Sequence, residues 1–372
     1  MNTSPFFEVA LSLIDRIGAV TAKQLISYCG SAEAVFKTAK SKLLRIPQIG
    51  MHTAQLIMDH QKEALEEAEK ILQKAEKESV QILCFYQKDY PQRLKDIHDS
   101  PLILYYQGNT SLNPEKSVAI VGTRDASNYG KNITEELVAD LQKHKVLIVS
   151  GLAYGIDIAA HRASLKNELP TVGVMASGID IIYPSVHKNT AQQMLHAGGL
   201  LTESCFGTKP DAVRFPARNR IIAGLADAVV VVEAKEKGGA LITAEIANGY
   251  HKDVFAIPGN INSKTSQGCN WLIKNHKANL ISSVEDLIYM MNWDVQNDKP
   301  GRQQTLNFEK IDLDEPDRQI ILCLQEKQNE GMRIDELSYK LQTPIAQIQA
   351  RLMNLELLGL IQALPGKKFV LN

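Results

Sequence analysis

Two arginine-bearing segments hold the residues of this sequence that are best suited to bind an anion. The first is Val121–Gly130 and the second is Phe215–Arg220, which directly follows Arg214. Each joins an apolar run or a loop to a helical pattern, so each would offer backbone N–H groups and a guanidinium at the start of a helix. Phosphate is the anion that such a combination binds best. The two segments therefore predict a phosphate-binding site.

Further glycine turns follow the predicted strands. Ser150-Gly151 comes directly after the apolar run Val146–Val149, and Gly238-Gly239 leads into a helical pattern that contains Thr243. Because the carboxyl ends of parallel strands meet at one edge of a sheet, we expect these turns to line a single crevice. The residues predicted to bind there are Gly122, Thr123, Arg124, Ser127, Ser150, Gly151, Phe215, Arg218, Asn219, Arg220, Gly238, Gly239 and Thr243.

An aromatic ring beside clustered guanidinium groups distinguishes the second segment. A base can stack on Phe215 while Arg218 binds phosphate, which is the arrangement that a single nucleic-acid strand needs. In the alternative interpretation, Phe215 packs into the core and Arg220 forms an ion pair. For the first segment, the alternative is that Arg124 only bridges a carboxylate such as Asp157. We favour nucleic-acid binding for both segments.

Few residues are candidates for catalysis. Asp157 and His161 lie four positions apart on one predicted helix face, but no third residue completes a metal site or a catalytic set, and a hydrogen bond within or between helices is the favoured role. The five cysteines are scattered without a CxxC or Cys/His spacing. No G-x-G-x-x-G with an acidic ribose partner follows the first strand. The sequence predicts a non-enzymatic binding protein without a metal or a cofactor.

The overall charge excludes the simplest kind of nucleic-acid-binding protein. The chain has 372 residues and a formal net charge of −1, so a polyanion site must be a local concentration of arginine and lysine. No apolar run is long enough to cross a membrane, and residues 1–7 lack the basic start of a signal peptide. We expect a cytoplasmic protein of two or three domains.

The pattern along the chain predicts a helical segment followed by an α/β core. Residues 1–79 are predicted to be helical, with a repeat, Ile17-Gly18 and Ile49-Gly50, that is typical of helix-hairpin-helix (SAM-like) units. Such units can bind phosphate through backbone N–H groups, but we favour helical hairpins packed for stability or protein contact. Residues 80–293 alternate apolar β-branched runs with helical periods, which predicts a Rossmann-like, doubly wound parallel sheet. The predicted strands are Val118–Val121, Val146–Val149, Thr171–Met175, Leu200–Thr202, Ala228–Val232 and Asp253–Ile257.

The remainder of the chain predicts a linker and a winged helix. Residues 294–309 are polar and contain Pro300-Gly301, and residues 310–372 fit three helices followed by a hairpin. The latter segment has eight basic and nine acidic residues. Because a winged helix that grips duplex DNA is usually basic, we favour a contact or regulatory role for it.

Taken in order, these motifs resemble the DprA (also called Smf) family of DNA-processing proteins. The resemblance covers about residues 90–282, and the helical segment and the winged helix resemble that family's accessory domains. The matching stretches are Tyr90–Leu94, Pro101–Tyr105, Gly108-Asn109, Ile120–Arg124, Ser150–Asp157, Ala160–Arg162, Tyr183-Pro184, Glu203, Phe215–Arg220, Ile242–Ala244 and Pro258-Gly259.

The resemblance implies a specific set of activities and partners. These are binding of single-stranded DNA, a homodimer formed through the Rossmann-like domain, and loading of the RecA recombinase during natural transformation. The residues that it implies as DNA contacts are Arg124, Phe215, Arg218, Asn219 and Arg220. Two departures concern phosphate binding. Gly238-Gly239-Ala240 stands where the family often has Ser-Gly-Ser, and Ala212 stands where a basic residue is common, with Arg214 or Lys209 as its candidate replacement.

Two other functions stay open from the residues alone. One is hydrolysis of a nucleotide or nucleotide-sugar on a lysine-decarboxylase-like Rossmann fold, because Gly238-Gly239, Thr243 and Glu245 partly match the phosphate motif of phosphoribohydrolases. The spacing differs from that motif and its second glycine–threonine pair is missing, which favours the binding protein. The other is a protein-interaction scaffold whose glycine turns hold a small phosphate regulator.

Overall fold

One large sheet provides the frame on which the candidate site is built. The structure is a computed structural model that describes residues 4–293, 313–327, 331–341, 343, 345–364 and 368–371. The chain forms two compact units, Met1–Asn292 and Trp293–Asn372. The predicted linker, residues 294–309, lies outside the described residues.

The described part of the first unit contains nine strands in a single mixed sheet. They are β1 Gln81–Cys84, β2 Ile103–Gly108, β3 Ser117–Val121, β4 Leu147–Ser150, β5 Thr171–Val174, β6 Gly198–Thr202, β7 Ala228–Val231, β8 Asp253–Ala256 and β9 Asn279–Leu280. Their order is β1-β2-β6-β5-β4-β3-β7-β8-β9. The run from β6 to β9 is parallel, whereas β2 pairs antiparallel with β6 and β1 antiparallel with β2.

The Rossmann-like α/β fold and the six predicted strands are confirmed. The expectation of a wholly parallel sheet is wrong at one edge, where β1 and β2 run antiparallel. Hydrophobic periodicity does not report strand direction, so the sequence pattern could not distinguish this edge from the parallel strands.

Helices cover both faces of the sheet. Every residue of β3 and β7 is buried, as expected for central strands between two helical layers. Along β2, Ile103 and Tyr105 pack into the core formed with the N-terminal helices, while Leu104 and Tyr106 pack into the core on the other face. The helices of this unit are α1 Phe6–Leu13, α2 Ala19–Cys29, α3 Ala32–Lys37, α4 Lys40–Leu43, α5 Met51–Lys77, α6 Gln92–Lys95, α7 Asn128–Leu141, α8 Ile156–Lys166, α9 Lys188–Met194, α10 Arg214–Leu225, α11 Gly239–Gly249, α12 Gln267–Lys274 and α13 Val284–Met290.

The repeat in the helical N-terminal segment corresponds to two helix starts of the same geometry. Gly18 precedes α2 with φ −72° and ψ 169°, and Gly50 precedes α5 with φ −85° and ψ 173°. The preceding Ile17 and Ile49 are both buried. The predicted boundary between residues 79 and 80 falls between α5 and β1, inside the first compact unit, and it stays a prediction.

The second unit has the winged-helix fold that the sequence predicts. Its helices are α14 Glu315–Lys327, α15 Ile334–Leu341 and α16 Ile345–Leu357, and its strands are β10 Met332–Arg333, β11 Ile361–Leu364 and β12 Lys368–Leu371. The three strands pair in the order β10-β12-β11. Ile320, Leu337, Leu352 and Leu355 form the centre of its core. On α16, Arg351 is paired with Asp314 and Asp317 at 2.9 Å, so its charge is compensated within the unit.

Candidate nucleic-acid interface

The carboxyl ends of β3, β4 and β7 open into a cavity of about 760 Å³. In the sheet, β4 lies on one side of β3 and β7 on the other, so the direction of winding reverses at this point. Ligands of open α/β sheets bind in the crevice at such a reversal. Nine of the thirteen predicted site residues line the cavity: Gly122, Thr123, Arg124, Phe215, Arg218, Asn219, Gly238, Gly239 and Thr243.

The loop after β3 places an exposed guanidinium at the cavity mouth. A Cβ atom on Gly122 would lie 2.4 Å from Ile156 Cγ1, so the close approach of the loop to α8 requires glycine. The Thr123 amide donates to the Glu233 carbonyl at 2.7 Å, which holds the loop against the segment that follows β7. Arg124 is exposed, and its Cζ lies 4.9 Å from the centroid of the Phe215 ring. The structure thus brings the first arginine and the aromatic residue together.

Arg218 forms the floor of the cavity. Its side chain is only 5% exposed, and its Nη1 donates to the Val174 carbonyl at 2.6 Å, whereas its Nε has no partner among the described residues. Burial lowers the pKa of Arg218 to about 10, a shift that Asp157 opposes and Arg124 reinforces, so the guanidinium is charged at neutral pH. A buried cation with an unused donor is poised to bind an anion.

Gly151 makes room for this guanidinium. A Cβ atom on Gly151 would lie 1.9 Å from Arg218 Nη1 and 2.6 Å from its Cζ. Gly151 therefore acts beneath the cavity, where it permits the position of Arg218. The neighbouring Ser150 is fully buried, and its hydroxyl donates to the Ile120 carbonyl at 2.6 Å.

A polar cluster behind Arg218 is sealed from the cavity. His161 is fully buried, with Nδ1 2.7 Å from Thr171 Oγ1, and that hydroxyl donates to the Ile148 carbonyl at 3.0 Å. Because the single hydroxyl proton is used there, His161 Nδ1–H is the donor and Nε2 carries the lone pair. Burial, with a smaller contribution from the charge of Arg218, lowers the pKa of His161 to about 3. His161 is a neutral core residue bonded to a strand, which replaces the expected bond within or between helices.

The aromatic part of the site contains one ring that sequence reasoning missed. Phe215 is half-buried at the cavity wall, and its centroid lies 5.9 Å from that of Tyr183, which is 47% exposed. Phe215 therefore does not pack into the core. The whole segment Phe215–Arg220 lies within α10, which begins at Arg214, and Pro216 lies in the first helical turn, where proline is tolerated. The sequence did contain a signal for Tyr183, because Tyr183-Pro184 is one of the stretches that resemble the DprA family.

The third wall is the start of α11. Gly238 is the N-cap residue, in extended conformation and without a side-chain cap, so first-turn N–H groups of α11 are left for a ligand. Thr243 Oγ1 donates to the Gly239 carbonyl at 3.3 Å, and Asn219 Nδ2 approaches the same oxygen at 3.4 Å. Lys237 and Lys235 also line the cavity, and neither was predicted from the sequence.

Two predicted residues use their side chains inside the protein, away from the cavity lining. Ser127 accepts from the Gly130 amide at 3.2 Å as the N-cap of α7, and its hydroxyl donates to Glu233 at 2.7 Å. Arg220 donates to the Asp99 carbonyl at 2.7 Å and pairs with Glu203, as the alternative interpretation has it. Ser127, Arg220, Ser150 and Gly151 therefore do not line the cavity as expected, and their contacts with DNA stay predictions.

The charge lining the cavity suits a polyanion. Four cations face two carboxylates there, although the chain as a whole has a net charge of −1. Asp125 pairs with Lys235 at 3.0 Å. Asp157 is buried beside Arg218, and burial raises its pKa while Arg218 opposes that shift. In the described chain, no group of three or more His, Cys, Asp or Glu side chains is placed to hold a metal. None of the described helices is long and apolar enough to span a bilayer.

Fold and site together define a Rossmann-like α/β protein with a cationic crevice at its strand reversal and a winged helix in a second unit. The family model described as DNA recombination-mediator protein A matches residues 81–292, and the DprA winged helix domain matches residues 307–367. The chain belongs to this family, the DprA/Smf family of DNA-processing proteins.

Relatives match over most of the chain. Protein Smf of Synechocystis is 30% identical over 398 residues, which cover 99% of each chain. DNA processing protein DprA of Streptococcus pneumoniae is 43% identical over 199 residues, covering 54% of this chain and 70% of the relative. The X-ray structure of DprA from S. pneumoniae has a TM-score of 0.68 and 32% identity, covering 78% of this chain and 98% of that one.

A second solved structure concerns a ligand. The structure of DNA processing protein A from Helicobacter pylori, solved to study its single-stranded DNA binding mode, has a TM-score of 0.53 and 30% identity. It covers 58% of this chain and 96% of that one. The match therefore extends over nearly the whole chain of that structure.

Proposed function

We propose that this protein binds single-stranded DNA in the cavity at the carboxyl ends of β3, β4 and β7. The observation on which the proposal rests is the pairing of a buried, incompletely bonded Arg218 with two aromatic rings, Phe215 and Tyr183, in one cationic cavity. Only unstacked bases can reach rings in a recessed cavity, which favours a single strand over a duplex. The single-strand binding of the H. pylori relative supports the same ligand.

The geometry suggests how the two kinds of contact are divided. Arg218, the start of α11 and Lys237 would bind phosphate groups, and Phe215 with Tyr183 would stack on bases. In the free protein Arg124 covers the Phe215 ring at 4.9 Å. Displacing an exposed cation from an aromatic ring costs about 0.5–1 kcal/mol, and base stacking contributes about 1–3 kcal/mol. Exchange of Arg124 for a base is therefore favourable, and it frees Arg124 to bind phosphate.

We further propose that binding is the whole of the activity at this site, without bond cleavage. Within the described chain, the carboxylates that line the cavity are Asp125, paired with Lys235, and Asp157, buried beside Arg218. His161 is sealed away and neutral. This arrangement supplies no free general base for a hydrolase. The lack of a free general base among the groups that reach the cavity therefore outweighs the partial match to the phosphoribohydrolase motif.

Membership of the family supports the broader role. We propose that the protein acts in the cytoplasm as a homodimer formed through the Rossmann-like domain, and that it loads the RecA recombinase onto single strands during natural transformation. The description of the matching family model as DNA recombination-mediator protein A supports this proposal.

The test compares single-strand and duplex binding directly. Fluorescence anisotropy should show tighter binding to oligo-dT than to a duplex of the same length at the same salt concentration. RecA assembly on strands precovered by single-strand-binding protein should speed up when the protein is added, while nucleotide monophosphates stay intact. Equal affinity for the two DNA forms would refute single-stranded DNA as the preferred ligand. Hydrolysis of nucleotides at this site would instead support the alternative function, that of a nucleotide hydrolase.

A further inference from the structure

A second cavity lies between the N-terminal helices and the sheet, on the far side of α10 from the first. Its volume is about 420 Å³, within the range of cavities that hold a small molecule or part of a larger one. Its lining comes from the start of α2, from β2 and from the loop after β6, together with Arg214, Ala217 and Arg218.

The first turns of α10 form the partition between the two cavities. Phe215, Asn219 and Ile222, spaced by four and three residues, face the first cavity, and Arg214 and Ala217 face the second. Residues three and four apart share one side of a helix, so this division follows from helical geometry. The helix begins at an exposed edge, because the N-cap residue Val213 is 77% exposed. An extended polymer can therefore pass from one cavity to the other over the start of α10.

Two independent features make the second cavity suited to a phosphate group. The eleven-residue helix α2 begins at the cavity with Gly18 as its N-cap, and no side chain caps it, so first-turn N–H groups are available there. Arg218 lines this cavity as well, at 5% exposure and with Nε unpartnered. Arg214 adds an exposed cation. The one carboxylate of the lining, Glu203, is paired with Arg220 and does not leave an uncompensated negative charge.

We propose that the second cavity binds a phosphate group of the same DNA strand that occupies the first cavity. The strand would run from Phe215, across the start of α10, to the amide groups of Ala19 and its neighbours at the start of α2. This inference rests on the proposed single-strand binding. It assigns to the N-terminal helices a direct part in holding DNA, in addition to their packing against the sheet.

The repeat in the N-terminal segment supplies a matched pair of variants. Gly18 and Gly50 have nearly the same backbone angles at a helix N-cap, and a Cβ atom on either would meet nothing within 4 Å. Aspartate is a favourable N-cap residue, so Gly18→Asp and Gly50→Asp should both leave the melting temperature unchanged or raised. Only Gly18 lies in the second cavity. In Gly18→Asp, the new carboxylate would accept hydrogen bonds from the free N–H groups at the start of α2 and would repel a phosphate.

The measurement is affinity for oligo-dT of increasing length. With the wild-type protein, affinity should rise with length until the strand reaches the second cavity. Gly18→Asp should weaken binding of long oligonucleotides by about tenfold, the size expected for loss of a charge-assisted phosphate contact and its replacement by repulsion. The deficit should shrink as the strand is shortened, and Gly50→Asp should follow the wild type at every length. Arg214→Ala should reproduce the length dependence of Gly18→Asp without adding a charge.

The outcomes separate this inference from the function on which it depends. If the wild-type protein does not bind oligo-dT at all, the proposed function fails. If it binds oligo-dT but Gly18→Asp and Arg214→Ala both match Gly50→Asp at every length, the function stands and the second cavity does not bind the strand. An equal deficit of Gly18→Asp at all lengths would also overturn the proposed path, because it would place Gly18 next to the shortest bound segment.

Discussion

Replacing Gly151 by alanine should disturb DNA binding through Arg218, although Gly151 does not line the cavity. The added Cβ atom would lie 1.9 Å from Arg218 Nη1, a distance at which the guanidinium must move. The backbone itself tolerates alanine, because Gly151 has no positive φ. Arg218 would lose its 2.6 Å bond to the Val174 carbonyl. Loss of a hydrogen bond to a charged group costs about 1.5–3 kcal/mol of unfolding free energy.

The affinity for oligo-dT should fall with the stability, because the displaced Arg218 leaves the cavity floor. We expect a loss of at least about tenfold, which equals 1.4 kcal/mol. Denaturant unfolding and anisotropy titrations measure the two effects. Gly249→Ala is a suitable control, since a Cβ atom on Gly249 meets nothing within 4 Å and this residue is at the far end of α11.

A double-mutant cycle shows whether Arg218 is the cause. Arg218→Ala removes the atoms against which the new methyl group would press, and the nearby Asp157 can then take up a proton. In that background Gly151→Ala should cost little, which gives a coupling free energy of about 1.5–3 kcal/mol between the two positions. Additive effects of the two substitutions would refute the account of Gly151 as the residue that makes room for Arg218.

Three further outcomes follow from the same structure. Arg124→Ala should weaken oligo-dT binding and lower the slope of log affinity against log salt by about 0.7, the value for one phosphate contact of a single strand; an unchanged slope in anisotropy titrations would remove Arg124 from the phosphate contacts. Because the folded-state pKa of His161 is about 3 and its ordinary value is 6.5, the unfolded chain takes up a proton first as the pH falls. Unfolding free energy should therefore drop by up to about 1.4 kcal/mol per pH unit below pH 6.5, and His161→Gln should flatten this dependence in denaturant titrations. A chain that ends at Asn292, where the first compact unit ends, should keep its oligo-dT affinity within about tenfold; a larger loss would show that the winged helix binds DNA despite its excess of acidic residues.

The sequence predicted the strands and the loops that line the cavity better than it predicted individual side chains. The loops after β3 and β7 both contain glycine, and this local signal was sufficient to place Gly122, Arg124 and Gly238 at one edge of the sheet. Arg218 and Arg220 could not be separated in this way. Two residues apart on a helix, they point about 160° away from each other, so one lines the cavity and the other pairs with Glu203.

Residues that reach the site from other loops were harder to predict. Tyr183 follows β5, and Lys235 follows β7, so their position depends on how the strands are ordered in the sheet. A single sequence does not contain that order. The second cavity depends on the packing of the N-terminal helices against β2, which likewise follows only from the folded chain.

Photocrosslinking of oligo-dT tests the location of the binding site most directly. Thymines are replaced in turn by 5-iodouracil, which forms adducts with aromatic side chains in contact with the base, and the adducts are mapped by mass spectrometry. If the strand binds in the first cavity, adducts should form at its two rings, Tyr183 and Phe215, and should be lost in Arg218→Ala. Adducts confined to the winged helix, residues 315–371, would contradict the claim that the cavity of the sheet binds the strand.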